Sequence, residues 1–141
     1  MTKKEIRNIY KEKRKQISHS QKLKWDDLLL LQFQKLNIRF IQSLFTYMPM
    51  PHKNEPNTLL ITNYLRHMMP GLEIAYPLTK SDGSMKAILI DEYTHYHNNE
   101  YGILEPNGNK ELQPKNIQLI LVPLLAFDIK GNRVGYGKGF Y

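Results

Sequence analysis

NIQLILVPLLAF, residues 116 to 127, is nearly all apolar. A run of this kind bounded by turn residues predicts a strand buried on both faces, the pattern of a parallel sheet covered by helices. Upstream, SLFTYM (Ser43 to Met48) is short, β-branched and aromatic and stops at Pro49-Met50-Pro51; it reads as another strand. LEIAYPL (Leu72 to Leu78) and MKAILID (Met85 to Asp91) are two more, parted by the turn residues Ser81-Asp82-Gly83. Between and before them the spacing turns helical. Ile6, Ile9, Tyr10 and Ile17 mark an amphipathic helix over about 3–16, with Lys3, Arg7, Lys11 and Arg14 on its opposite stripe. Ser18-His19-Ser20-Gln21 fits a capping box for a second helix, which runs to about Leu36 and partly buries Leu28, Leu29, Leu31, Phe33 and Leu36. Thr58 to Met68 is a third, closed by Pro70-Gly71. Helices alternating with strands predict a single α/β domain with a mainly parallel sheet. Ligands of such sheets sit beyond the carboxyl ends of the strands.

Composition narrows the chemistry. The 141 residues contain no cysteine, which removes disulfides, thiolate nucleophiles and Cys-based zinc sites and makes the cytosol the default compartment. No apolar run approaches the ~20 residues of a membrane span, and MTKKEIRNIYKEKRK lacks the hydrophobic stretch of a secretory signal. The net charge of +7 is lopsided: residues 1–25 hold nine Lys/Arg against two Glu, and the remaining eleven of each sign cancel. A solvated helix face, an anionic ligand and nucleic acid are all compatible with that polarity.

Just after the apolar run comes GNRVGYGKGFY, Gly131 to Tyr141. Backbone N–H groups form an anion-binding concavity where residues accept positive φ, which Gly135, Gly137 and Gly139 would do at no steric cost. Lys138 adds charge and Arg133 a planar fork that matches phosphate oxygens. The loop is neither a Walker A motif nor G-x-G-x-x-G, since its spacing is G-x-G-x-G. A hairpin end made of turn residues is the alternative.

LILVPLLAFDIKGNRVGYGKGFY resembles the signature of the 5-formyltetrahydrofolate cyclo-ligase (5,10-methenyltetrahydrofolate synthetase) family. KKEIRNIYKEKRKQIS resembles that family's basic first helix, TYMPMPHKNEPNT its strand-loop with a glutamate three residues before a threonine, and YGILEPNGN its G-I-x-E-P segment. The four matches occur in the family's order and span nearly the whole chain. The resemblance implies a three-layer α/β/α fold, NagB/RpiA/CoA transferase-like. It also implies an ATP-dependent cyclisation in which the formyl oxygen of 5-formyltetrahydrofolate attacks the γ-phosphate. Ring closure by the nitrogen at position 10 then yields 5,10-methenyltetrahydrofolate, ADP and phosphate. By the same resemblance ATP lies against Lys3, Lys4, Glu5, Ile6 and Arg7 and against Arg133, Val134, Gly135, Tyr136, Gly137, Lys138, Gly139, Phe140 and Tyr141, with Arg133 and Lys138 catalytic. The folate lies against Met50, Glu55 and Tyr136 to Phe140, with Met50 packed on the pterin and Glu55 accepting from its N–H groups. Lys11, Lys13, Lys15, Lys22 and Lys24 are left as a solvated face. ATP and Mg2+ are the implied cofactors, and the implied protein is a cytoplasmic monomer that engages neither nucleic acid nor membrane.

In the family the loop is followed by a magnesium-binding aspartate, a helix and a further strand, so the resemblance reads residues 1–141 as one domain shortened at its C-terminus. No residue of the chain is assigned to a metal. His95-x-His97 has no third ligand at a compelling spacing and reads as a polar loop. Asp26-Asp27 and Asp91-Glu92 are adjacent pairs that point apart. Besides the enzyme, two other classes stay open: an inactive remnant that binds folate or nucleotide, and a basic module that holds nucleic acid through phosphates with steep salt dependence.

Overall fold

The computed structural model describes all residues, 1 to 141. Thr2 opens helix α1 (Lys3–Lys15) with a full capping box: its hydroxyl accepts from the Glu5 N–H and its own N–H donates to the Glu5 carboxylate. Helix α2 (His19–Gln34) is capped by Ser18, which accepts from the Gln21 N–H. Strand β1 (Ser43–Phe45), helix α3 (Thr58–Met68), strand β2 (Glu73–Thr79) and strand β3 (Met85–Leu89) follow within a residue or a few of the predicted bounds. Then come β4 (His95–Asn98), β5 (Leu104–Asn107), β6 (Leu119–Ile120), β7 (Ala126–Phe127) and β8 (Arg133–Val134).

The main sheet has the order β3-β2-β1-β6. β1 runs parallel to both β2 and β6, pairing Leu44 with Ile74 and with Leu119, while β3 turns back antiparallel to β2. The mainly parallel α/β reading holds. Side chains alternate across the sheet. On one face Leu44, Ile74 and Tyr76 join Leu65 of α3, flanked by Phe33 of α2. On the other, Phe45, Ala75 and Ala87 join Leu112, flanked by Met85, Leu89 and Ile117. β4–β5 and β7–β8 are separate antiparallel hairpins.

The apolar run that pointed to a parallel sheet is itself not one doubly buried strand. Only Leu119–Ile120 pairs, at the sheet edge, and Ile120 is 48% exposed. Pro123 has no N–H to extend a ladder, and Ala126–Phe127 folds onto Arg133–Val134 instead. Its apolar residues thus serve an edge strand, a wall of the cleft described below and a hairpin. α2 also departs from expectation. Leu28, Leu29, Leu31 and Leu36 remain about half exposed, and the helix is held by Phe33, edge-on to Tyr64, and by the buried Asp26. Asp26 accepts from Lys22 at 2.6 Å and from the Asn57 N–H at 3.0 Å, so Lys22 is a structural partner and not part of a solvated face.

Candidate active site

Because β1, β2 and β6 run parallel, their carboxyl ends meet at one edge of the sheet. There Tyr47 and Met48 after β1, Pro77 and Thr79 of β2, and Val122 and Pro123 after β6 wall a cleft of about 410 Å³. The opposite wall is the C-terminal loop, from Gly135 to Tyr141, with Lys3 and Arg7 of α1. The glycine-rich segment therefore lies where the strand-end rule puts a ligand.

Its glycines divide the work. Gly131 (φ +85°) makes the β7–β8 turn, where Asp128 accepts from the Lys130 and Asn132 N–H groups. Gly137 (φ +89°) and Gly139 (φ +72°) adopt the left-handed conformation inside the cleft loop. Gly135 does not, so its expected role as a source of positive φ is corrected. Its carbonyl instead accepts from Arg7 Nε at 3.0 Å, which ties α1 to the loop. The same guanidinium lies so close to Gly137 that a Cβ there would stand 3.1 Å from its central carbon.

Five cations line the cleft: Lys3, Arg7, Lys53, Arg133 and Lys138. Lys138 Nζ rests 3.9 Å from the centre of the Tyr101 ring, and Phe140 meets that ring edge-on. Lys53, missed in the sequence, lies 4.9 Å over the Tyr136 ring. Burial, and then the charge of Lys138, pull its pKa below the ordinary lysine value. Lys4, Glu5, Ile6 and Val134 stand outside the lining. Glu5 is occupied in the α1 cap, and Val134 in the hairpin.

Glu55 also lines the cleft. It is 3% exposed, and its Oε1 accepts from the Met50 N–H at 2.9 Å. The loop that carries it is pinned by Asn54, whose left-handed backbone aims its amide at the carbonyl of Arg14, 2.8 Å away. Burial raises the Glu55 pKa, opposed by the Met50 hydrogen bond and by the charges of Arg14 and Lys53. Tyr136 faces it, and burial together with the Glu55 charge pushes that phenol up to about 12. Tyr47 and Tyr141 are raised as well, chiefly by burial. Of the sequence-predicted folate and phosphate residues, Lys3, Arg7, Met50, Glu55, Arg133 and Gly135 to Tyr141 line one cleft, while Lys4, Glu5, Ile6 and Val134 do not.

A second buried carboxylate was not singled out from sequence. Glu105 of β5, 2% exposed, lines the cleft and accepts from the Thr79 N–H at 3.0 Å, the Thr79 hydroxyl at 2.6 Å and Asn99 Nδ2 at 2.8 Å. His97 lies 3.8 Å behind it, on strand β4 and not in the expected polar loop. Its only signal was the acid in YGILEPNGN. The chain holds no group of three or more metal-ligating side chains. The residues therefore offer no protein cage for Mg2+, an ion that phosphates and water commonly hold with one or two carboxylates.

A model of the 5-formyltetrahydrofolate cyclo-ligase family matches residues 1–141. The chain is 40% identical over 72 residues to the 5-formyltetrahydrofolate cyclo-ligase of Haemophilus influenzae, a match covering 50% of this chain and 37% of that protein. It is 33% identical over 99 residues to the probable 5-formyltetrahydrofolate cyclo-ligase of Schizosaccharomyces pombe, covering 67% and 47%. The matched stretches span less than half the length of either relative. Among solved structures, the 5,10-methenyltetrahydrofolate synthetase of Aquifex aeolicus superposes with a TM-score of 0.81 at 23% identity, covering 100% of this chain and 70% of that one. That of Mycoplasma pneumoniae superposes with a TM-score of 0.74 at 24% identity, covering 100% and 75%. The two structures share its α/β fold.

Proposed function

The chain belongs to the 5-formyltetrahydrofolate cyclo-ligase family, and from that premise we propose that it cyclises 5-formyltetrahydrofolate to 5,10-methenyltetrahydrofolate, converting ATP to ADP and phosphate. One observation carries the reading: a single cleft joins a phosphate-type loop ringed by Lys3, Arg7, Arg133 and Lys138 to a buried acceptor, Glu55. ATP supplies the phosphoryl group that makes the formyl oxygen a good leaving group. The chain's own residues bind, orient and stabilise. The N–H groups around Gly137 and Gly139, with Arg133 and Lys138, neutralise the phosphates as charge moves on to the bridging oxygens, the main form of catalysis open to a protein in phosphoryl transfer. Glu55 accepts from the pterin N–H groups, and Met50 packs against the ring. Lys138 leaves the Tyr101 ring to reach a phosphate, a contact worth little enough to give up for an anion. Mg2+ would enter with the nucleotide. No helix is long and apolar enough to cross a membrane. We place the protein in the cytoplasm as a monomer acting on folate and ATP, with neither nucleic acid nor membrane as partner.

The test is turnover with ATP, magnesium and 5-formyltetrahydrofolate, read as the near-ultraviolet absorbance of the methenyl product. The expected result is product formed in step with ADP, reduced at least about a hundredfold in Arg133→Ala and in Lys138→Ala. ATP binding without product in the unaltered chain would overturn the enzymatic reading.

A further inference from the structure

Arg14 lies on the stripe of α1 that carries Arg7, yet it does not line the cleft. Its guanidinium is aimed at the glycine loop: Nη1 donates to the Tyr136 hydroxyl at 2.8 Å, and Nη2 donates to the carbonyl of Leu124. Its backbone carbonyl accepts from Asn54, next to Glu55. One residue thereby ties α1 both to the glycine loop and to the loop that carries Glu55. A guanidinium can only donate. The Tyr136 hydroxyl must therefore accept from Arg14, which leaves its single proton free to point elsewhere. Glu55 lines the same cleft as Tyr136, and while its Oε1 already takes the Met50 N–H, it is a carboxylate acceptor within that shared lining.

We propose that Arg14 is a positioning residue: by fixing the Tyr136 hydroxyl as an acceptor, it directs that hydroxyl's proton to Glu55 and holds Glu55 as the carboxylate that receives the N–H groups of the substrate. This rests on the folate reading and deepens it. The groups facing Glu55 are Arg14 from α1, Lys53 from its own loop, Tyr47 after β1, and Tyr136 and Tyr141 from the glycine loop. Of these only Arg14 and Lys53 are cations, and burial, then the charge of Lys138, lowers the Lys53 pKa.

The experiment reads the Glu55 carboxyl by carbon NMR titration of the ligand-free protein, in the parent, Arg14→Gln, Tyr136→Phe and the double variant. Each single change raises the Glu55 pKa, and the double raises it no further than the larger single effect, because both act through the one Tyr136 hydroxyl. Affinity for 5-formyltetrahydrofolate falls about tenfold in each, with loss on acidification setting in at a higher pH than in the parent, while ATP affinity in Arg14→Gln stays within about twofold. Additive shifts, an unmoved Glu55, or equal losses of ATP and folate overturn the proposal. Should Arg14→Gln fail to fold, Tyr136→Phe alone decides, since it leaves the Leu124 anchor intact and an unmoved Glu55 there is sufficient to refute it. A parent that shows the coupled titration but binds no 5-formyltetrahydrofolate overturns the folate reading alone.

Discussion

Gly137 and Gly139 stand two residues apart and both hold positive φ, but their surroundings differ. At Gly139 a Cβ would meet open space, whereas at Gly137 it would press on the Arg7 guanidinium. Alanine at 139 is therefore expected to cost only the backbone strain of a left-handed L-residue, about 1 kcal/mol. Alanine at 137 adds displacement of Arg7, which also bonds the Gly135 carbonyl, and should weaken ATP at least about tenfold more than the change at 139. Titrating nucleotide into the two variants by calorimetry checks this. Equal losses would mean that Arg7 holds nothing in the loop. The same comparison marks a limit of motif reading. The sequence shows four glycines around two cations; which glycine needs its conformation, and which needs its missing Cβ, depends on an arginine 130 residues away in the chain.

At the scale of elements, α2 meets the rest of the fold through few residues, and Asp26 is the polar one among them. It takes the Lys22 ammonium from its own helix and the N–H of Asn57, the N-cap of α3, two residues after Glu55. Removing it strands a buried N–H and a partly buried ammonium together. Asp26→Ala should lower unfolding free energy by about 2 to 3 kcal/mol, with Asp26→Asn losing roughly half as much because its amide oxygen still accepts from Asn57. Urea denaturation of both decides it, and an Asp26→Ala chain as stable as the parent would leave α2 without a polar anchor. Asp26-Asp27 was legible only as a poor candidate for catalysis, since a structural acid and a functional one look alike until their partners are known. Helix spacing and caps located α1, α2 and α3 well, because those signals are local. The edge position of β6 and the half-exposed leucines of α2 were not legible, because burial depends on what packs from elsewhere in the chain. For the same reason Glu55 and Glu105, alike in sequence to any surface acid, became buried acceptors only once the loops that donate to them were in place.

Across the whole molecule the surface is large for its mass. The chain exposes 9757 Å², where a compact monomer of this size would expose about 7,600 Å². It therefore buries closer to 60% of its unfolded surface than the two-thirds expected from length alone. With a thin core, groups that ionise unfavourably when buried weigh more in total stability. Three are phenols. Tyr47 and Tyr76 lie in the interior and Tyr136 in the cleft, and burial is the leading cause of a raised pKa in all of them. A folded pKa above the ordinary 10.0 means that the native state keeps a proton the unfolded chain releases. Their contribution is fully present below about pH 10 and is lost as pH climbs toward about 12, where Tyr136 itself ionises. Phenolate absorbance should then appear in two stages, the second, from the phenols that burial raises, together with loss of structure by circular dichroism. Tyr136→Phe should move that second stage to higher pH, because one of the protons that drives alkaline unfolding is gone. A single smooth titration of all nine tyrosines with the fold intact would show that water reaches the cleft and the sheet freely, and the buried position of Glu55 would be the next assignment to give way.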